Sequence, residues 1–143
     1  MSWSLALTRG VLALDPRARR TFGTTGAAAI ADPSRVDAPL PRRMRRRFAV
    51  SEWRIDGRLV TRVAPRDGVP VAEVVFYHGG GYVSPLATPH WWLVRELVTR
   101  SGAAVTMPSY PLAPEHTLDD AQGWFDALYA QVVARGRRLV QPG

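Results

Sequence analysis

Val71-Ala72-Glu73-Val74-Val75-Phe76-Tyr77-His78-Gly79-Gly80-Gly81-Tyr82-Val83 is the stretch that decides how this sequence folds. Val71 to Tyr77 is a near-continuous apolar and β-branched run, the pattern of a strand buried on both faces of a sheet. Three glycines follow at the carboxyl end of that strand, where open α/β sheets place their ligands. With no Cβ, they can take positive φ and turn successive N–H groups toward one spot. Such a loop serves an anion, either a phosphate or the oxyanion of an acyl-transfer intermediate. The phosphate form lacks its marks: the glycines are not spaced GxGxxG, no lysine follows, and Val83 to Ala87 do not open a helix. A glycine turn without function is the remaining reading, set against the specificity of a histidine and three glycines after a buried strand.

Elements alternate on both sides of this stretch. Upstream, Glu52 to Ile55 and Leu59 to Val63 flank Asp56-Gly57, a hairpin dipeptide, and read as two short antiparallel strands. Downstream, Thr88 is placed to cap a helix with Pro89 at its first position, an apolar face of Leu93, Val94, Leu97 and Val98, and a stop at Gly102. Ala103 to Met107 reads as a second buried strand. Thr117 and Asp120 form a capping-box-like start for a long helix. Leu118, Ala121, Trp124, Phe125, Leu128 and Val132 are its buried stripe, and Gly136 its expected end. Arg138 to Val140 reads as a further short strand. The order strand, helix, strand, helix, strand predicts right-handed crossovers and a parallel sheet, hence an α/β fold.

The composition narrows the chemistry. The chain has 143 residues, 19 basic side chains that are all arginine, and no cysteine. That is room for one ordinary domain. Absent lysine excludes Schiff-base chemistry, a pyridoxal-type linkage and a GK[ST] P-loop. Absent cysteine excludes a thiolate nucleophile, a disulfide framework and a thiolate metal site. His78, His90 and His116 are the only histidines and no carboxylates cluster with them, so no metal and no cofactor is expected. What remains is hydroxyl-based or purely binding chemistry.

Charge is unevenly distributed. Residues 1 to 50 hold ten arginines and three aspartates, whereas the rest of the chain balances nine against nine. The densest part, Arg42-Arg43-Met44-Arg45-Arg46-Arg47, reads as a solvated connector in preference to an arm for nucleic acid or an anionic membrane. Trp3, Leu7, Val11 and Leu14 recur at helical spacing, giving one amphipathic helix ahead of the small-residue segment Thr21 to Ala31 and a proline-rich loop. No signal peptide or membrane span is read there, and with the missing cysteines this gives an expected cytoplasmic location. The character changes near residue 49.

His78-Gly79-Gly80-Gly81-Tyr82, followed by Tyr110-Pro111-Leu112-Ala113-Pro114-Glu115-His116, resembles the hormone-sensitive-lipase-like (fold-3) branch of the α/β-hydrolase superfamily, a group of serine carboxylesterases and lipases. The resemblance covers about residues 50 to 140. It implies the amino-terminal half of an α/β-hydrolase sheet with helices on both faces, preceded by a short helical cap segment. Residues 1–48 would be cap and arginine-rich connector, and residues 49–143 a partial core. Gly80 and Gly81 would donate amides to an oxyanion, supported by His78, Gly79 and Tyr82, while Tyr110, Pro114 and Glu115 would brace the loop network. His90 also fits the family pattern, with no catalytic role assigned. The substrate implied for an intact member is a small-molecule ester, without metal, nucleic acid or membrane; the oligomeric state is not implied.

The sequence departs from the family at its end. Members place a Gly-Asp-Ser-Ala-Gly elbow after the strand that follows the long helix, whereas here Gln141-Pro142-Gly143 follows Arg138 to Val140 and no GxSxG occurs. The expectation is therefore a truncated esterase or lipase that carries the oxyanion loop without nucleophile, base or acid, inactive as the isolated chain. The alternative is a non-catalytic module binding a small acyl ligand, a partner subunit or, through its basic front, a polyanion. Ser84 with His90 is the one arrangement that could act as a substitute nucleophile and base, on an irregular segment with no third group to orient the histidine.

Overall fold

The computed structural model describes residues 36–139. The amphipathic stretch Trp3 to Leu14, the segment Thr21 to Ala31 and Val140 lie outside them. The described chain runs α1 (Arg42–Arg47), β1 (Ala49–Ile55), β2 (Arg58–Ala64), β3 (Glu73–Val75), α2 (Thr88–Ser101), β4 (Ala104–Pro108) and α3 (Leu118–Leu139). The four strands form one sheet in the order β1-β2-β4-β3. With α2 packed in one core of the sheet and α3 in the other, this is an α/β architecture.

The β1–β2 hairpin forms where the sequence places it. Asp56 and Gly57 take φ of 46° and 77°, and Ile55 faces Arg58 across the turn. Two positive φ values match the right-handed twist of the flanking strands, which is why an Asp-Gly pair suits the position. Strand β2 continues antiparallel onto β4, and β3 lies parallel to β4 with Val74 opposite Val105. The expected pairing of neighbouring parallel strands is therefore present, within a mixed sheet.

Strand β4 is the centre. All five of its residues are buried, and two separate cores flank the sheet at this point. On one face Val105 and Met107 pack with Val63, with Trp91, Val94 and Val98 of α2, and with Leu40, Met44 and Phe48 from in and around α1. On the other, Val60, Ile55 and Tyr110 pack with Trp124, Leu128 and Val132 of α3. Each Val or Leu buried this way contributes about 1.5–3 kcal/mol relative to exposure. The arginine run is thus amphipathic: Met44 points inward while Arg42, Arg43, Arg45, Arg46 and Arg47 are exposed. Arg66 donates to the carbonyls of Arg45, Arg46 and Phe48 at the carboxyl end of α1, where a cation suits the helix dipole.

Five expectations are corrected. The run Val71 to Tyr77 is not a strand buried on both faces: β3 spans three residues at the sheet edge and Val71 is 75% exposed. Only β4 pairs with β3 among the described residues, so one flank has no cover. Thr88 does not cap α2; Ala87 is the N-cap, Thr88 the first helical residue and Pro89 the second. Leu118 is 64% exposed and stands outside the stripe formed by Ala121, Trp124, Leu128 and Val132, being the first residue of the helix. Gly136 does not end α3, which runs to Leu139. Arg138 and Leu139, read as the start of a strand, are its last residues; arginine and leucine are strong helix formers, and here α3 simply continues.

The stops and caps with direct chemical signals do hold. Gly102 takes φ 70° and its amide bonds the Val98 carbonyl, the left-handed C-terminal arrangement that glycine permits. Thr117 and Asp120 cap α3 reciprocally: the Asp120 amide donates to Thr117 Oγ1 at 3.2 Å and the Thr117 amide to Asp120 Oδ2 at 3.0 Å.

Candidate functional site

The glycine loop leaves the sheet beside β4. The Phe76 amide still bonds the Thr106 carbonyl at 2.9 Å, continuing the parallel ladder beyond Val75. Tyr77 then turns its ring edge-on to Tyr110 and Phe125. His78 is 3% exposed, and its ring stacks on that of Tyr110 with centroids 4.5 Å apart. The Tyr110 hydroxyl donates to the His78 carbonyl at 2.6 Å. His78 Nδ1 lies 3.0 Å from the Gly79 carbonyl oxygen, so Nδ1 bears the proton and Nε2 the lone pair. That Nε2 is buried and has no hydrogen-bond partner among the described residues.

The three glycines then reverse the chain. Gly80 has φ 132° and Gly81 φ 64°. The Gly80 carbonyl faces inward, accepting the amides of Val83 at 3.2 Å and Ser84 at 3.1 Å. A Cβ on Gly80 would lie 2.8 Å from Ser84 Cβ and 3.0 Å from its carbonyl oxygen, so close approach as well as dihedral excludes a side chain there. Neither the Gly80 nor the Gly81 amide donates to an acceptor among the described residues. Tyr82 also takes a left-handed φ of 65°, which costs a residue with a Cβ about 1–2 kcal/mol. It is held by the Ala113 amide on its carbonyl at 2.9 Å and by its ring against Tyr110 at 6.0 Å.

The second motif meets the first through Tyr110 and Ala113. Pro114, joined to Ala113 by a cis peptide, and Glu115 are both exposed. His116 accepts from the guanidinium of Arg58 at 2.7 Å through Nε2, which ties the β1–β2 hairpin to this segment.

Comparison with known proteins now bears on this arrangement. Residues 74–137 match the model of the family described as the alpha/beta hydrolase fold. An esterase of Gibberella moniliformis is 44% identical over 48 residues, 34% of this chain and 15% of its own length. An assigned esterase of Staphylococcus aureus superposes with a TM-score of 0.60 at 19% identity, over 85% of this chain and 40% of that structure. A hormone-sensitive lipase from a metagenome library superposes with a TM-score of 0.54 at 24% identity, over 92% and 41%. The chain has part of the α/β-hydrolase fold. It spans about 40% of the length of those solved relatives.

Within this fold, the loop is held by residues that sequence reading missed. Asp37 Oδ1 accepts the Leu86 amide at 2.8 Å, and the Ala38 amide donates to the Leu86 carbonyl at 2.7 Å. Trp91 Nε1 donates to the Ala38 carbonyl at 2.8 Å. The segment after the glycines is thus fastened to chain 49 residues earlier, a separation that leaves no local sequence signal. His90 contributes differently: its Nδ1 accepts the Ala87 amide at 2.9 Å, which satisfies a donor at the amino end of α2. This commits the acceptor nitrogen of His90, so no base is left for Ser84, and no Ser84–His90 hydrogen bond occurs among the described residues.

The glycine loop is lined by groups kept neutral. Burial pushes the Tyr110 hydroxyl up to about 12, with Tyr82 and Asp37 adding to the shift. Burial also lowers His78 below the usual histidine range, opposed by its Gly79 hydrogen bond and by Asp37. His90 is lowered by burial and by the neighbouring His78. A neutral, half-buried surrounding strengthens any interaction between an amide dipole and an anion. Among the described residues no three histidine or carboxylate side chains converge as a metal site, and no helix is long and apolar enough to cross a membrane.

Proposed function

We propose that this chain is the oxyanion-bearing part of a serine carboxylesterase or lipase, and that Gly80 and Gly81 donate the amides that stabilise the tetrahedral intermediate. The observation that carries the reading is the pair of amides without acceptors on a loop at the carboxyl end of β3, beside a Gly80 that tolerates no side chain. Donors already spent on backbone carbonyls could not receive a developing charge. His78, Gly79, Tyr82 and Tyr110 support the loop. Pro114 and Glu115 belong to the same brace, and residues 1–48 are a cap and connector, whose described part places Leu40, Met44 and Phe48 in the core.

The nucleophile, general base and orienting acid come from polypeptide outside these 143 residues, since the sequence contains no GxSxG and His90 is engaged at α2. The substrate is a small carboxylic ester: acyl transfer places negative charge on the carbonyl oxygen, and the loop offers neutral donors suited to it. The chain alone is inactive. The β3 edge, which no strand pairs among the described residues, is the flank on which a strand bearing the nucleophile would complete the sheet.

The test is hydrolysis of p-nitrophenyl esters. The full chain alone is expected to show no saturable rate above a Gly80→Pro control, in which one donor is deleted and the φ of 132° is lost with it. Mixed with a carboxyl-terminal segment of a hormone-sensitive-lipase-like esterase, it is expected to give saturable hydrolysis that Gly80→Pro removes. Saturable hydrolysis by the chain alone, or activity of the mixture indifferent to Gly80, contradicts the proposal.

A further inference from the structure

His90 sits where α2 begins and where the glycine loop is braced. Its Nδ1 accepts the Ala87 amide at 2.9 Å, the reaching-back contact that a Glu or Gln at the third helical position normally supplies. Its ring lies 5.4 Å from that of His78, tilted by 34°. His78 in turn bonds the Gly79 carbonyl, the first glycine of the loop, and presents a buried Nε2 with no partner. One unbroken series of contacts therefore joins the helix cap to the loop: Ala87, His90, His78, Gly79.

The series requires uncharged rings. A protonated His90 would carry a hydrogen on Nδ1 facing the Ala87 N–H, two donors with no acceptor between them. It would also set a positive charge against the buried His78. We propose that His90 is a positioning residue for the Gly80–Gly81 loop, holding it while neutral and releasing both the α2 cap and the loop when protonated. The inference rests on the reading of that loop as an oxyanion site, but its test uses no ester and fails or succeeds independently of hydrolysis.

The groups around the pair are few. Asp37 acts on His78 from the segment ahead of α1 and favours its protonation, although burial outweighs it. Tyr110, stacked on His78 from beyond β4, remains neutral throughout. His78 is the neighbour whose protonation would oppose that of His90. Both rings bind protons less readily folded than unfolded, so the neutral arrangement is fully held above the ordinary histidine value and gives way as pH falls through the lower value of the folded chain.

The experiment is NMR of the full chain between pH 8 and pH 5, following the two histidine rings, the Ala87 amide, and the Gly80 and Gly81 amides. In the native chain the three amides are expected to shift together with the His90 ring, at a midpoint below the ordinary histidine value. The Ala87 protection factor should fall on the order of fivefold across the transition, as for a lost cap. In His90→Gln, whose amide oxygen can accept the same bond and does not titrate, Ala87 should stay protected across the range and the glycine amides should lose their response. In His90→Ala, Ala87 should be unprotected at every pH. Loop amides that titrate unchanged in His90→Gln overturn the proposal, as does an Ala87 amide in the native chain that ignores pH. The native titration decides the matter if either variant fails to fold.

Discussion

The Tyr110 hydroxyl bonds the His78 carbonyl at 2.6 Å while the two rings stack at 4.5 Å, so one tyrosine fixes both backbone and side chain of the residue that opens the glycine loop. Tyr110→Phe keeps the stacking and deletes the donor, leaving a buried carbonyl unpaired. The expected loss is about 1–3 kcal/mol in urea denaturation, with faster exchange at the loop amides. A change below about 0.3 kcal/mol would mean that the ring alone holds His78.

The same hydroxyl gives an alkaline dependence. Its folded value of about 12 stands above the ordinary 10 for tyrosine, so the folded chain binds this proton more tightly than the unfolded one. Stability is unaffected by this group below about pH 10 and falls as pH rises from there toward 12. Denaturation midpoints measured from pH 8 to 11.5 should drop in the native chain, and the drop should be smaller in Tyr110→Phe.

Gly80 and Gly81 differ in what surrounds them, and their alanine variants should differ accordingly. Gly81→Ala meets open space and incurs only a left-handed φ of 64°, about 1 kcal/mol. Gly80→Ala places a methyl carbon 2.8 Å from Ser84 Cβ, and the Gly80-to-Ser84 turn must shift. Amide chemical-shift changes should stay local for Gly81→Ala and extend through Val83 and Ser84 for Gly80→Ala.

Leu128 and Leu118 test the two-faced core. Leu128 is fully buried against β2 and Trp124, whereas Leu118 is exposed at the start of α3. Leu128→Ala should cost about 2–5 kcal/mol, and Leu118→Ala should stay within about 0.5 kcal/mol. Equal costs would contradict the packing described for α3.

These contrasts mark what the sequence could and could not say. Asp56-Gly57, Gly102 and the Thr117–Asp120 pair act through backbone dihedrals and short-range hydrogen bonds, so their roles are legible locally. The near-continuous apolar run at Val71 to Tyr77 shows a strand, but its burial depends on what lies beside it, and in the described sheet only β4 does. Leu118 and Leu128 look alike in a helical stripe until the ends of α3 are placed on the sheet. The histidine and glycines are legible as a motif, and their convergence with Tyr110 follows from the resemblance. Asp37 and the His90 cap are not legible, because the first acts across 49 residues and the second uses a histidine where Glu or Gln is the usual signal.

The most direct test of the central claim is labelling by a fluorophosphonate, mapped by mass spectrometry, of the full chain alone and of the chain mixed with a carboxyl-terminal segment supplying serine, acid and histidine. The account predicts no adduct on the chain alone, an adduct on the supplied serine in the mixture, and its loss when Gly80→Pro replaces the native chain. A stoichiometric adduct at Ser84 of the isolated chain, or labelling of the mixture that does not depend on Gly80, would contradict it.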